Sequence, residues 1–300
     1  MTAADQGVEL QLSWWGRKTR ESLFFSTING IIHNPQGAIA IVGLLLLVVG
    51  AVGAPVIAIH DPIAQDASGR FLSPSTEHWF GTDELRRDLF ARTLFGLRAS
   101  FAVSLISVAV GTVIGVTIGF LAGFLGGLAE TAAMRLVDAL LAFPGLLAAL
   151  AILTILGPGI RNIGIAIAFF TIPAFARLAR AQMLAEKNKD YVLASQSLGA
   201  SPLRIIFRHI AINAFPPLLT QMALLMAVAV LITAALSFLG LGDNPPAPSL
   251  GGLLNVSRQY LREAWWYAVC PGAVFALLLF SLNLLSDAIN EASSPYQRRR

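Results

Sequence analysis

Long apolar stretches without charged side chains constrain the fold of this chain more than any other feature of its sequence. Several of them run for more than 20 residues between one charged residue and the next. A helix of 22 residues rises about 33 Å, which is enough to cross a hydrocarbon core of about 30 Å. Charged residues make up 13% of the sequence, whereas soluble domains carry about 25%. The pattern predicts an all-α membrane protein.

Six transmembrane helices are predicted from these stretches. They cover residues 38–59, 99–123, 136–156, 160–176, 214–241 and 268–288. The first begins too late in the chain for an ordinary signal peptide, so we expect it to be retained as a membrane span. The single cysteine, Cys270, lies within the sixth stretch and excludes an intrachain disulfide.

The distribution of lysine and arginine predicts the orientation of the chain. An even number of spans places both termini on one side, where the segments carry thirteen basic residues against eight on the other. Positively charged loops stay in the cytoplasm, so the N-terminal segment 1–37, the segment 177–213 and the basic tail 289–300 are predicted to be cytoplasmic. The first loop, residues 60–98, is then outside the cell, and residues 38–288 form the membrane domain. The basic excess serves orientation and does not indicate nucleic-acid binding.

Small residues on the second predicted span favour close helix packing. Glycine recurs every four residues, at Gly111, Gly115, Gly119 and Gly123. On a helix these positions form one stripe, which a second backbone approaches closely; the lining of a conduit is the other interpretation. Pro144 and Pro173 should bend the third and fourth spans because proline removes a backbone donor, and the bends are either hinges or fixed kinks.

The charges near the spans are expected to form local ion pairs. Thr82 or Asp83 is predicted to cap a helix in the first loop. On helices, residues three or four positions apart are neighbours. The expected pairs are Asp83 with Arg87, Asp88 with Arg92, and Asp138 with Arg135.

Catalytic and metal-binding signatures are missing from the sequence. The four histidines, His33, His60, His78 and His209, are far apart along the chain and lack a metal-binding spacing, so no metal site is predicted. Neither a phosphate-binding loop of the Walker type nor a serine nucleophile motif occurs. We therefore expect no catalytic residue and no cofactor in this chain, and no residue pattern identifies the substrate-binding residues.

The stretch DYVLASQSLGASPLRIIFRHI, residues 190–210, separates two apolar stretches with a more polar segment. Its first half favours a helix that stops at Gly199, and Ser201 with Pro202 should begin a second short helix that reaches about His209. The residues expected to make contacts there are Asp190, Tyr191, Val192, Leu193, Ala194, Ser195, Leu198, Gly199, Ala200, Ser201 and Pro202. Such a knob either docks in a groove of another protein or lies on the lipid surface with the help of nearby arginines.

This segment resembles the cytoplasmic EAA loop of ABC importer permeases, and the resemblance extends along almost the whole chain. The matching motifs are NPQGAIAIVG, HDP, HWFGTDELRRDLFAR, FGLRASF, MRLVDALLAFPGLL, LGPG, LSFLGLG, PPAPSLG and NLLSDAINEA. The chain is similar to the C-type permease subunit of dipeptide, oligopeptide and nickel importers. Leu193 stands where that family has the glutamate of EAA, and Arg86 stands where it has a glycine, but the helix–turn–helix plan remains.

The resemblance implies the six-helix type I ABC importer fold and a location in the cytoplasmic membrane of a prokaryote. It implies a non-enzymatic subunit that is embedded in lipid and pairs with a second, similar permease. Two cytosolic ATPase subunits would bind ATP and magnesium, and an extracellular or periplasmic solute-binding protein would deliver the cargo. Peptides are the expected cargo, with nickel or another small solute as the alternative. A secondary transporter is the main alternative class, although the sequence shows no inverted repeat and no charge at a span centre.

Overall fold

The computed structural model describes residues 30–32, 34–65 and 69–293 of this protein. Within these residues the chain is helical, and the only β-type contact is an isolated bridge between Thr82 and Asp88. The helices are α1 (Pro35–Val52), α2 (Ala54–Ile57), α3 (Leu89–Leu125), α4 (Gly127–Leu141), α5 (Gly145–Leu156), α6 (Ile160–Glu186), α7 (Asp190–Ser197), α8 (Pro202–Ile205), α9 (Ala211–Phe238), α10 (Leu250–Ser257) and α11 (Trp265–Ser293). Most of the predicted segments 1–37 and 289–300 lies outside the described residues.

Five helices in the described residues are long and apolar enough to cross a membrane, and a bent pair of helices makes a possible sixth span. The α3 helix begins at Leu89, ten positions earlier than the predicted second span. The fourth span was predicted to end at residue 176, but α6 continues to Glu186. The first span ends early because the chain breaks at Gly53 before the one-turn helix α2. The predicted all-α membrane architecture is confirmed, with these corrections to its boundaries.

The third predicted span is not one continuous helix. It divides into α4 and α5, whose axes differ by 88°. Pro144 lies at the break with a ψ of 128° and serves as the N-cap of α5. Proline lacks a backbone donor and disfavours helical geometry in the residue before it, so the backbone turns here rather than bending gently. Pro173, by contrast, remains inside the continuous helix α6.

The predicted cap of a helix at Thr82 or Asp83 is wrong, because the helix begins after Asp88. The Oδ1 atom of Asp88 accepts a hydrogen bond from the backbone of Ala91 at 2.7 Å. Asp83 instead organises the loop before the helix, where it accepts hydrogen bonds from the backbone of Leu85 and Arg87. The N-cap role of Asp88 therefore fixes the start of α3.

Only one of the three predicted ion pairs forms. Asp83 pairs with Arg87 at 2.7 Å, and both side chains are buried. Arg92 does not reach Asp88, because the Asp88 carboxylate is held by its hydrogen bond to the Ala91 backbone. The Nε atom of Arg92 instead lies 3.3 Å from Asp83. Asp138 pairs with Arg177 of α6 at 2.7 Å rather than with the residue three positions earlier. Tertiary contacts thus replace two local pairs.

The glycine stripe of α3 lies directly against α6. A Cβ atom added at Gly115 would lie 2.7 Å from the Cβ of Phe175, and one added at Gly119 would lie 2.8 Å from the Cβ of Ala179. Gly111 faces Thr171, and Gly123 faces Met183. Their facing residues Thr171, Phe175, Ala179 and Met183 are fully buried. The absence of side chains on this stripe therefore permits the two backbones to come together.

Candidate functional site in the 190–210 segment

The first half of the 190–210 segment is the helix α7, which ends at the predicted glycine. Lys189 is its N-cap and Leu198 its C-cap. Gly199 follows with a φ of +76°, and its N–H donates to the Gln196 carbonyl at 2.9 Å. A residue with a side chain rarely adopts this left-handed conformation, so the backbone favours glycine at this position. An added Cβ would meet no atom within 4 Å.

The second half is not a separate short helix. Ser201 occupies the N-cap position without a side-chain hydrogen bond, and Pro202 is the first residue of α8. A π-helical turn, Ile206–Ile210, then connects α8 directly to α9. The predicted end near His209 is wrong, because three isoleucines in this stretch, Ile205, Ile206 and Ile210, are buried in the protein core. The segment is therefore continuous with a membrane span.

A hydrogen-bond network joins α7 to the ends of α6 and α9. The Tyr191 hydroxyl donates to Oε2 of Glu186 at 2.6 Å, and it accepts a hydrogen bond from Nδ2 of Asn213 at 3.0 Å. Lys189 binds the other oxygen of Glu186 at 2.5 Å. Burial and the hydrogen bond to Glu186 raise the pKa of Tyr191 to about 12. The hydroxyl is therefore protonated and available as a donor at neutral pH.

The segment has one apolar anchor and an exposed apolar surface. Val192 was predicted to offer contact to a partner, but it is fully buried within the chain. Leu198 is 88% exposed and Leu193 is 48% exposed, as predicted for residues that face outward. Sequence reasoning missed Leu203 and Phe207, which are also exposed. Their apolar character next to Pro202 was the available signal.

The small residues of the segment have short side chains that protrude little from this surface. Ser195 donates its hydroxyl hydrogen to the Tyr191 carbonyl at 2.7 Å, within its own helix. Ala194 and Ser201 are exposed, and Ala200 is half-buried beside the glycine turn. Asp190 is exposed in the first turn of α7, where a negative charge is favoured by the helix dipole. The arrangement presents apolar side chains around a compact turn and holds no set of catalytic groups.

Two ion pairs fasten α4 to the last part of α6, which leads into this segment. Asp138 binds Arg177, and Glu130 binds Arg180 at 2.6 Å. Lys187, just after α6, donates to the Gly123 carbonyl at 3.0 Å at the end of α3. The same end of the bundle therefore carries α4, the end of α3 and the 190–210 segment.

A cavity of about 320 Å³ lies beside the start of α3, at the end of that helix away from the 190–210 segment. The sequence did not predict it. It lies between the first loop, α10 and the residues after α9, and both signs of charge line it: Glu84, Arg92 and Asp243. The Tyr267 hydroxyl donates to Glu84 at 2.7 Å across one wall. These groups belong to the first loop, α3, the residues after α9, and α11.

Two of the histidines, His60 and His78, are far apart along the chain but lie side by side in the fold. The rings of His60 and His78 have centroids 4.7 Å apart. Both approach Asp88, the N-cap of α3. The loop before α3 brings them together across 18 positions of sequence.

The fold is a multi-pass bundle of apolar helices with the helix–turn–helix segment 190–210 between two of its spans. Residues 115–299 match the family described as "Binding-protein-dependent transport system inner membrane component", and the chain belongs to this family. It is therefore a permease subunit of a transport system located in the cytoplasmic membrane. The predicted family, helical permease fold and membrane location are confirmed.

Curated relatives match over most of their length. The chain is 40% identical over 269 residues to the di/tripeptide transport system permease protein DppC of Pseudomonas aeruginosa, covering 88% of this chain and 89% of the relative. It is 39% identical over 262 residues to the probable D,D-dipeptide transport system permease protein DdpC of Escherichia coli, covering 87% and 88%.

A solved structure shares the fold. An inward-facing conformation of the MetNI methionine ABC transporter matches with a TM-score of 0.55 at 19% sequence identity. The match covers 68% of this chain and 96% of that chain. The likeness identifies the fold of this protein as that of an ABC importer permease.

Proposed function

We propose that this chain is the membrane-spanning subunit of an ATP-driven importer that carries di- or oligopeptides into the cell. Its relatives in Pseudomonas aeruginosa and Escherichia coli bear the names of dipeptide permeases. The complex contains a second, homologous permease and two cytosolic ATPase subunits that bind ATP and magnesium. A solute-binding protein outside the cell delivers the peptide. Both termini and the 190–210 segment face the cytosol, in agreement with the excess of basic residues in these segments.

The exposed apolar turn carries this proposal. Leu198 and Leu203 stand on either side of Gly199 and are exposed to solvent. The free energy of apolar side chains on a cytosolic protrusion falls when a groove of another protein covers them and removes them from water. We assign this groove to an ATPase subunit, so that Leu193, at the position of the family's glutamate, contributes an apolar contact instead of a polar one.

Motion of the ATPases reaches the membrane through two connections. The first is the Tyr191 hydrogen bond to Glu186 at the end of α6. The second is the unbroken helix from Pro202 into α9. Closure of the ATPases on ATP shifts the 190–210 segment, and rocking of these helices against the rest of the bundle alternates access between the two sides. The chain itself performs no chemical step.

Substitution of Gly199 tests the proposal. Valine at this position disfavours the left-handed backbone by about 1–2 kcal/mol, while the open space around the glycine excludes a steric clash. Gly199→Val should lower uptake of labelled dipeptide and substrate-stimulated ATP hydrolysis, with unchanged amounts of permease in the membrane. Gly199→Asn is the matched control, because asparagine tolerates this conformation, and it should retain more of both activities.

Two outcomes would contradict the proposal. Wild-type uptake by a correctly inserted Gly199→Val variant would show that the turn does not couple ATP hydrolysis to transport. Uptake of labelled nickel but not of labelled di- or oligopeptides, in cells with the gene compared with cells without it, would reject the peptide cargo.

A further inference from the structure

Three potential metal ligands converge at the start of α3. His60 follows the short helix α2, His78 lies within the first loop, and Asp88 is the N-cap of α3. The Nδ1 atom of His78 lies 2.9 Å from Oδ2 of Asp88, and Nδ1 of His60 lies 3.7 Å from the same oxygen. One ligand atom from each of the three residues lies within 4.8 Å of the others.

The Asp88 carboxylate is oriented by the helix that it caps. Its Oδ1 atom accepts a hydrogen bond from the Ala91 backbone at 2.7 Å, which leaves Oδ2 directed at the two imidazole rings. Metal-binding carboxylates are commonly fixed in this way by a hydrogen bond to the oxygen that does not bind the ion. The cap therefore places one carboxylate oxygen at the point where the histidines meet.

A hydrogen bond between His78 and Asp88 accounts for only part of this arrangement. That contact joins two side chains that are only 2% and 4% exposed, and it satisfies the carboxylate without a third residue. His60 nevertheless packs its ring on His78 with a tilt of 31° and turns Nδ1 toward the same oxygen. Its side chain is 30% exposed, so the cluster has a route to solvent.

We propose that His60, His78 and Asp88 form a binding site for a divalent transition-metal ion of the zinc type. Two imidazole nitrogens and one carboxylate oxygen suit zinc, whereas magnesium and calcium prefer oxygen ligands. Ligands about 2.0–2.1 Å from a tetrahedral ion are about 3.3 Å from each other. The observed separations of 2.9 and 3.7 Å from Asp88 lie on either side of this value. A small movement of His60 completes the set, and a water molecule that enters beside the partly exposed His60 takes the fourth position.

The ion joins three positions that are 18 and 10 residues apart along the chain. His60 belongs to the end of the first membrane segment, His78 to the first loop, and Asp88 to the start of α3. Binding therefore holds the first loop against the membrane bundle. The inference is independent of the cargo and of the ATPase, because it rests on this cluster alone.

Zinc binding to the full-length chain tests the site. The permease is purified with the subunits that accompany it, using an affinity tag without histidine, and is then stripped with EDTA. Zinc is added back, excess ion is removed by desalting, and zinc per chain is measured by mass spectrometry. Wild type should retain one equivalent more than His60→Ala, and competition with a chromophoric chelator should show at least a tenfold weaker affinity in the variant. His60 is chosen because Asp88 caps α3 and its replacement endangers folding.

A histidine elsewhere provides the control. His209→Ala removes an imidazole from the π-helical turn and should leave zinc binding unchanged. Hydrogen exchange gives a second readout: zinc should slow exchange of the backbone amides of residues 72–88 in wild type but not in His60→Ala. Equal zinc content in wild type and His60→Ala, absence of stoichiometric zinc in wild type, or equal loss in His209→Ala would each overturn the proposal.

Discussion

Replacing Gly115 with alanine should force α3 and α6 apart. The added Cβ would overlap the Ile172 carbonyl oxygen and lie 2.7 Å from the Cβ of Phe175. Neither atom can swing away, because one belongs to the backbone and the other is the first side-chain atom of a fully buried residue. The contact is about 0.7 Å short of the 3.4 Å at which ordinary van der Waals contact begins.

Two effects of opposite sign determine how much Gly115→Ala changes the free energy of unfolding. Crowding of a packed interior typically costs about 1–3 kcal/mol. Alanine is favoured over glycine within a helix by about 1 kcal/mol, which partly offsets the clash. Gly272→Ala in α11 gives the helical gain with little clash, because the nearest atom to its added Cβ, from Leu254, is 3.7 Å away. The difference in the free energy of unfolding between the two variants should therefore be about 1–3 kcal/mol.

Thermal unfolding in detergent, followed by the fraction of monodisperse protein in size-exclusion chromatography, measures this difference. Gly115→Ala should unfold at a lower temperature than wild type, and Gly272→Ala at the same or a higher temperature. Equal midpoints for the two variants would refute the argument that the α3–α6 contact requires glycine.

Three further substitutions test the contacts around the two loops. Tyr191→Phe removes the hydrogen bond to Glu186, worth about 1.5–3 kcal/mol for a charged acceptor, and should reduce transport. Because the folded pKa of Tyr191 is raised from 10.0 to about 12, this stabilisation is complete below pH 10 and is lost only as pH rises toward 12. Asp83→Asn removes the nearer of the two charged partners of the buried Arg87 and leaves only Glu84, at 3.2 Å. It should cost about 1–3 kcal/mol, measured as loss of folded protein. Leu198→Ser, at an exposed position, should change stability by less than about 0.5 kcal/mol but should lower copurification of the ATPase.

Each of these predictions has an opposing outcome. Wild-type uptake by the Tyr191→Phe variant would show that the hydrogen bonds of Tyr191 are not needed to transmit motion to the membrane helices. A normal yield of folded Asp83→Asn would mean that the loop does not depend on the buried pair. Undiminished ATPase binding by Leu198→Ser, together with an intact turn, would place the docking surface elsewhere.

The membrane spans were predictable because their signal is local and strong. The boundaries of the spans were not predictable. Charged residues such as Arg92 lie in the first turns of α3 and interrupt the apolar pattern from which a span is recognised. In the sequence that arginine resembles a loop residue, but in the fold it lies 3.3 Å from Asp83 in the preceding loop. Pro144 indicated a bend, yet hydropathy carries no information on the 88° angle that results.

The candidate sites divide in the same way. Gly199, Ser201 and Pro202 carry local backbone preferences, so the turn could be placed from sequence. The contact of Tyr191 with Asn213 spans 22 positions, and the histidine cluster depends on a loop whose path no periodicity describes. Such contacts follow from tertiary packing, which a single sequence does not encode in a readable pattern.

The π-helical turn has a mechanical consequence, because it keeps α8 and α9 in one rod that runs from Pro202 to Phe238 without interruption. A rod of 37 residues is about 55 Å long, longer than the membrane is thick. Tilting it by about 10° around one end would carry the other end roughly 10 Å sideways at that length. At this length, a small rotation about one end of the helix becomes a larger displacement of the other end.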